Sequence, residues 1–161
     1  PETLWQGLRS VERLDRTRLS TPGLKAFHHI TDAWDLSVRD RCILLGDPST
    51  QTYQRWIRRI SANSPVTLSK DTLIRISAVL GIHKLLTTLF TDQNTAMIWR
   101  KQAHQGLVFA GRSPLTLMLN GTQDDLLTVR RYLETWPYGT PDQVSDSLGV
   151  SAVTQQDIVF L

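Results

Sequence analysis

The stretch from Gly111 to Leu133 constrains the fold most, because it contains two complete helix starts. Ser113 can cap a helix through its hydroxyl group, and Pro114 suits the first helical position, where no backbone N–H is needed. A short apolar segment follows and ends at an Asn-Gly pair, whose residues tolerate a left-handed backbone. Thr122 then begins a second helix, with Asp125 in the position of a capping box. The stretch therefore predicts two consecutive helices.

Apolar residues recur at helical spacing through most of the preceding chain as well. The predicted helices cover residues 1–20, 24–34, 38–45, 50–60, 70–80 and 82–90. Breaks are predicted at Pro22 and at Gly81, because proline and glycine disfavour a helix interior. The helix that follows Thr122 is apolar on two sides, which predicts that one side packs on another chain. The predicted fold class is all-α.

Composition excludes several classes of protein. A single cysteine, Cys42, rules out an internal disulfide framework, and neither a run of eighteen apolar residues nor the apolar core of a signal peptide is visible. These features predict a cytoplasmic protein without a membrane span. There is no phosphate-cradling loop, no metal-binding His-Glu helix and no Cys/His pair at a useful spacing, and the adjacent His28 and His29 would point to different sides of a helix. We therefore predict no catalytic residue, no metal site and no cofactor.

Charge is distributed unevenly along the chain. Residues 1–90 contain 13 basic and 8 acidic side chains, whereas residues 91–161 contain 5 basic and 7 acidic ones. A basic first part allows contact with nucleic acid, and an acidic second part argues against such contact there.

The first part also has the pattern of a helix-turn-helix. Such a motif needs a small residue in its first helix, a glycine four residues later for the turn, and an apolar pair on the second helix. Cys42 and Gly46 meet the first two demands, and the apolar pair Tyr53 and Trp56 falls one residue later than usual. The residues predicted to face DNA are Ser49, Thr50, Gln51, Thr52, Gln54, Arg55, Arg58 and Arg59. The alternative is a solvated helix face with three arginines.

The second part resembles the toxin-binding domain of the Xre/MbcA/ParS antitoxin family. The resemblance covers Met97–Leu133 and rests on Gly-Arg-Ser-Pro-Leu at 111–115 and Val-Arg-Arg-Tyr-Leu at 129–133, with a helix ending in Trp99 and basic residues before them. The run Leu-Gly-Ile-His-Lys-Leu-Leu at 80–86 is similar to the equivalent run in that family.

This resemblance implies an arrangement of domains. An N-terminal helical arm would occupy residues 1–22 and an Xre-like helix-turn-helix domain residues 23–92. A small helical toxin-binding domain would follow at 93–136, and a tail at 137–161 would contact the toxin.

The resemblance also implies a function. Family members neutralise a RES-domain toxin, an enzyme that consumes NAD or ADP-ribosylates a target, by covering its active site. They dimerise within the complex with the toxin, and many repress their own operon by binding operator DNA. The toxin-facing residues implied here are Trp99, Arg100, Gly111, Arg112, Ser113, Pro114, Leu115, Arg130 and Arg131. We add Tyr138, because we expect the tail from this residue onward to cover or enter the toxin cleft. The planar fork of Arg112 can pair with a carboxylate, whereas Ser113 and Pro114 shape the element. The alternative is a stand-alone transcription regulator whose second part is only a dimerisation domain.

Overall fold

A computed structural model describes residues 2–136, with side chains for residue 13 and for residues 15–136. The helices are α1 (Glu2–Ala33), α2 (Val38–Leu44), α3 (Thr50–Ser61), α4 (Lys70–Leu89), α5 (Gln93–Lys101), α6 (Pro114–Met118) and α7 (Gln123–Glu134). No strand occurs within these described residues, so the predicted all-α class is confirmed. The predicted tail, 137–161, lies outside them.

The chain divides into two compact units, and the division falls inside α4. Unit 1 extends to Leu80, and unit 2 begins at Gly81. The sequence placed a boundary at residue 92 instead, in the polar connector that precedes α5.

Unit 1 is built around one apolar face of α1. Its α2 and α3 pack against each other, and α3 also packs against α1. The most buried apolar residues of these elements and of the first half of α4 are Leu24, Phe27, Ile30, Trp34, Cys42, Leu44, Tyr53, Ile60, Ile76 and Val79. Burial of this kind is the main term that holds such a helical unit together.

The predicted break at Pro22 is wrong, because α1 continues through it. A proline has no backbone N–H, so the carbonyl of Arg18 loses its usual partner. Because Pro22 is exposed, water can donate a hydrogen bond to the Arg18 carbonyl in place of the missing N–H. Tertiary contacts hold the helix on both sides of this point: the Ser20 hydroxyl accepts a bond from the Leu68 backbone N–H at 2.9 Å, and Leu24 is fully buried.

The predicted helix stop at Gly81 is also wrong, since α4 runs through it. A β-carbon at this position would lie 2.9 Å from Nε of Arg130, an α7 residue of the same unit. Arg130 in turn donates a hydrogen bond to Glu134 at 3.0 Å. The glycine therefore makes room for a guanidinium group against the helix, and it does not end the helix.

Among residues 2–136, α4 is the one helix whose length and composition would allow it to cross a membrane, with a mean hydropathy of 1.3. Length and composition are weak evidence, because the core helix of a globular protein passes the same test. Its residues Ile76, Val79 and Ile82 are buried, and its first turn contains the ion pair of Asp71 with Arg75. We interpret α4 as a core helix.

Unit 2 is organised around Trp99 of α5. The rings that lie against the Trp99 indole are those of Phe90, His104, Phe109, Tyr132 and Trp136. The Tyr132 ring stacks on it with an interplanar angle of 19°. Helix α6 packs against both α5 and α7. Because Leu126, Val129 and Leu133 of α7 are also buried, this face of α7 belongs to the core of unit 2, whereas Leu127 on the other side is half-buried.

Candidate nucleic-acid and protein-binding surfaces

In unit 1, α2 and α3 are two capped helices joined by a tight turn. The hydroxyl of Ser37 accepts the Asp40 N–H, and that of Ser49, a residue predicted to face DNA, accepts the Thr52 N–H. Gly46 has a φ of +95° and Asp47 a φ of +66°, so two successive residues adopt the left-handed conformation. A turn of this kind reverses the chain within a few residues and brings α3 back against α2.

A polar network under α3 connects it to α1 and α2. The Tyr53 hydroxyl lies 2.9 Å from Nδ1 of His28, and a terminal nitrogen of Arg41 lies 3.4 Å from the same ring nitrogen. Arg41 also donates through Nε to the Leu36 carbonyl and through Nη2 to Asp32, at 2.9 and 3.2 Å. A buried network with partners of this kind fixes the orientation of α3.

The surroundings of His28 disfavour its protonation. Burial, reinforced by the positive charge of Arg41, lowers the pKa of His28 below its usual 6.5, against the opposing effect of Asp32. Burial likewise raises the pKa of the Tyr53 phenol. Since the folded state binds its proton on His28 less readily than the unfolded chain, the fold loses stability as pH falls below 6.5.

We therefore expect the free energy of unfolding to decrease between about pH 7.5 and pH 5.5, with a contribution from His28. Replacing His28 with glutamine keeps a side-chain acceptor for Tyr53 but removes the titrating group, so this part of the pH dependence should disappear. Urea denaturation of the two proteins across this pH range measures it. His29→Gln at the exposed neighbouring position is the matched control. An unchanged slope in His28→Gln would contradict the assignment.

The predicted DNA-facing residues divide into four groups at the start of α3 and along it. Ser49 and Thr52 form the helix cap, since their hydroxyls also bond to each other at 2.9 Å. Thr50 is exposed in the first turn. Four exposed residues follow one face of the helix at positions i, i+3, i+4 and i+7, and we call them the α3 stripe: Gln51, Gln54, Arg55 and Arg58. Arg59 is exposed beside this stripe.

The arginines of α3 differ in their partners from the three arginines of α2 and α4. Arg39, Arg41 and Arg75 each pair with an aspartate. Within residues 13 and 15–136, no carboxylate pairs with the arginines of α3, and the sequence from 48 to 70 contains four basic residues and no acidic one. Cations without an internal counter-ion are what a polyanion requires.

In unit 2, the Gly-Arg-Ser-Pro-Leu element closes a compact loop. The His104 N–H donates to the Arg112 carbonyl at 3.1 Å, and the Gly111 N–H donates to the His104 carbonyl at 2.9 Å. The His104 ring lies 2.9 Å from the Trp99 carbonyl through Nε2, a partner that the sequence did not indicate. Ser113 caps α6 and Pro114 occupies its first turn, as predicted.

This loop holds Arg112 at the surface. Its Nε donates to the Phe109 carbonyl at 3.3 Å, which fixes one side of the guanidinium group. Its two terminal nitrogens have no partner among the described residues. Gly111 beside it has a φ of +84° and is exposed. Arg112 is thus a positioned cation with a free fork.

The other predicted toxin-facing residues are found in different settings. Trp99 and Arg100 are 7% and 5% exposed, and burial lowers the pKa of Arg100 to about 10, so it remains charged at neutral pH. Pro114 is buried and Leu115 half-buried, and both belong to α6.

On α7, Arg130 is the half-buried residue against Gly81, whereas Arg131 is exposed and pairs with Asp124 at 3.2 Å. Tyr138 lies outside the described residues.

Unit 2 also exposes three large apolar side chains that were not predicted as contacts. Leu107 is 62% exposed in the loop before Arg112, and Ile98 and Met97 are 56% and 37% exposed on α5. The apolar pattern of α5 does not show which side chains face outward, because Met97 and Ile98 are as apolar as a core residue, whereas the charged Arg100 is buried. Within the described part of the chain, no three His, Cys, Asp or Glu side chains converge as a metal site requires.

Comparison with known proteins yields one relative. The chain is 38% identical over 111 residues to y4oB, an uncharacterized protein of Sinorhizobium fredii, and the matched region covers 69% of this chain and 81% of y4oB. No protein-family profile matches the chain, and no solved structure matches it.

Proposed function

Since the chain belongs to the same protein family as y4oB, whose description names no activity, its function rests on its own residues, and we propose that it is an antitoxin. It binds a RES-domain toxin through unit 2 and covers the toxin's active site, without chemistry or a cofactor of its own. The proposal extends the resemblance of residues 97–133 to the Xre/MbcA/ParS antitoxins.

The observation that carries this proposal is the presentation of Arg112. A guanidinium group that is fixed through Nε and has two unpaired terminal nitrogens is prepared to bind a carboxylate in a bidentate manner. Leu107 and Ile98 add exposed apolar area in the same unit. Protein interfaces commonly combine an arginine anchor with apolar contacts of this kind.

The buried members of the predicted toxin-binding set support the surface indirectly. Trp99 and Arg100 belong to the packed interior of unit 2, and Ser113 and Pro114 form the start of α6. In our proposal these residues hold the loop in shape, and Arg112, Leu107 and Ile98 make the contacts.

Unit 1 supplies the second part of the proposal, which is repression of the antitoxin's own operon. We infer that α2, the turn and α3 act as a helix-turn-helix, with the α3 stripe toward the bases of the major groove. Glutamine recognises adenine and arginine recognises guanine there. A homodimer within the complex would present two such helices to an operator.

The test of toxin binding is co-expression with the reading frame adjacent to this gene, followed by measurement of growth rescue and of affinity for its product. Arg112→Glu should weaken the complex by at least about tenfold, which corresponds to 1.4 kcal/mol, because it removes a charged hydrogen bond and adds repulsion. Lys101→Glu changes charge equally at another exposed position of unit 2 and is the matched control. Equal affinity of wild type and Arg112→Glu would contradict the proposed contact.

The alternative function is a stand-alone transcription regulator, and the uncompensated arginines of α3 favour it as much as they favour operon repression. Co-purification separates the two. An antitoxin forms a stable complex with the product of the adjacent gene, whereas a regulator purified alone binds one operator tightly and forms no such complex. If changing Arg55, Arg58 and Arg59 to alanine abolished toxin binding, the proposed division between the two units would be wrong.

A further inference from the structure

A groove runs beside the second half of α3. It has a volume of about 470 Å³ and is open to solvent. The residues that line it are Arg55, Trp56, Arg59, Pro65, Val66 and Thr67. Two of the three arginines of α3 therefore face the groove, and Arg58 does not line it.

The wall of the groove opposite α3 is held firmly by α1. The Thr67 hydroxyl lies 2.7 Å from that of Thr17, and the Leu68 carbonyl accepts a hydrogen bond from Arg16 at 3.3 Å. The Leu68 N–H is bonded to Ser20. Arg59 reaches across to the same wall, where its Nε donates to the Pro65 carbonyl at 3.2 Å. The groove thus has fixed walls on both sides.

The groove is lined by two guanidinium groups and by no acidic side chain that would neutralise their charge. The bond from Nε holds Arg59 in place, and its two terminal nitrogens have no partner among the described residues. Arg55 likewise has no hydrogen-bond or ion-pair partner among the described residues. No residue between 48 and 70 is acidic, and the lining contains no carboxylate. Two guanidinium groups one helical turn apart form a site for a phosphate.

We propose that this groove binds a backbone phosphate of duplex DNA, next to the point where the α3 stripe contacts the bases. This inference rests on the DNA-binding part of the proposed function and assigns separate tasks to residues of α3. Arg55 belongs to both the α3 stripe and the groove. In this arrangement, a DNA strand whose bases contact Gln51 and Gln54 has its backbone phosphates next to Arg59. Gln51, Gln54 and Arg58 then discriminate between sequences, while Arg55 and Arg59 fix the position of the backbone.

The salt dependence of DNA binding tests the proposal with the full chain. Each phosphate that a protein neutralises contributes about −0.9 to the slope of log affinity against log salt concentration. The double variant Arg55→Gln, Arg59→Gln should therefore reduce the steepness of this slope by about 0.9 or more, measured by anisotropy of a labelled duplex between about 50 and 200 mM salt. The double variant Arg18→Gln, Lys25→Gln removes the same charge from exposed positions of α1 and should retain the wild-type slope.

Further variants separate charge from folding and groove from stripe. Arg55→Lys, Arg59→Lys keeps the charge and should keep the slope, whereas Gln51→Ala, Gln54→Ala should change sequence preference and leave the slope unchanged. A slope that is identical in wild type and Arg55→Gln, Arg59→Gln would overturn the groove while DNA binding stands. The groove proposal would also be overturned if the double variant Arg55→Gln, Arg59→Gln lost more of the salt slope on single-stranded DNA than on duplex DNA. If the wild-type chain bound no duplex, both this inference and the DNA-binding proposal would be wrong.

Discussion

Replacing Trp99 with alanine should cost unit 2 about 3 to 5 kcal/mol of stability, the range for truncating a buried large aromatic residue. The Trp99 indole contacts five other rings, so its loss leaves a cavity at the point where α5, α7 and the loop before α6 meet. The change also removes the surface on which Phe109 rests, and the Phe109 carbonyl positions Arg112. Since a whole domain is stable by only about 5 to 15 kcal/mol, the proposed toxin binding should weaken together with stability.

Urea denaturation gives the change in the free energy of unfolding, and hydrogen exchange within residues 93–134 locates it. Ile98→Ala is the matched control on the adjacent residue of α5, which is 56% exposed, and it should change stability by no more than about 0.5 kcal/mol. If Ile98→Ala abolished toxin binding at unchanged stability, that would support its place in the interface. Equal stability of Trp99→Ala and wild type would contradict the aromatic core of unit 2.

The local elements of this fold could be predicted from sequence because their causes are local. The helix caps at Ser113 and Thr122 each depend on one hydroxyl and a backbone N–H three residues later, and both are confirmed. The all-α class follows from the same short-range patterns.

The errors come from contacts between residues far apart in sequence. Pro22 and Gly81 oppose a helix locally, but the bond of Ser20 to Leu68 supports α1, and the guanidinium group of Arg130 takes the space beside Gly81. A single sequence does not show which distant residue supplies such a contact. Local propensity is therefore overridden at both positions.

The candidate sites show the same limit. The spacing of α3 was sufficient to list its outward residues, and the family resemblance singled out Arg112, but not the Phe109 carbonyl that positions its guanidinium group. Within the predicted toxin-facing set, the sequence did not separate the exposed Arg112 from Trp99 and Arg100, which are buried. Their burial depends on how α5 packs against Phe109 and α7. The groove beside α3 was missed since one of its walls, around Thr67, is held in place by α1.

Replacing Tyr53 with alanine should have the largest effect in unit 1, again about 3 to 5 kcal/mol. Tyr53 is 2% exposed, and its ring packs where α3 meets α1 and α2. Without it, α3 loses both its main apolar anchor and the hydroxyl that lies against His28. The α3 stripe and the groove both depend on the position of this helix, so affinity for duplex DNA should decrease with stability.

Tyr53→Phe separates the two contributions of this residue. It retains the ring and removes only the hydroxyl, so the expected cost is about 1 kcal/mol, that of one hydrogen bond. The hydroxyl contact of His28 Nδ1 is lost while Arg41 stays nearby, so the pH dependence assigned to His28 should persist in this variant. Denaturation across pH and anisotropy on the same duplex measure both quantities. A Tyr53→Phe protein as unstable as Tyr53→Ala would mean that the polar network, and not the packing of the ring, holds α3 in place.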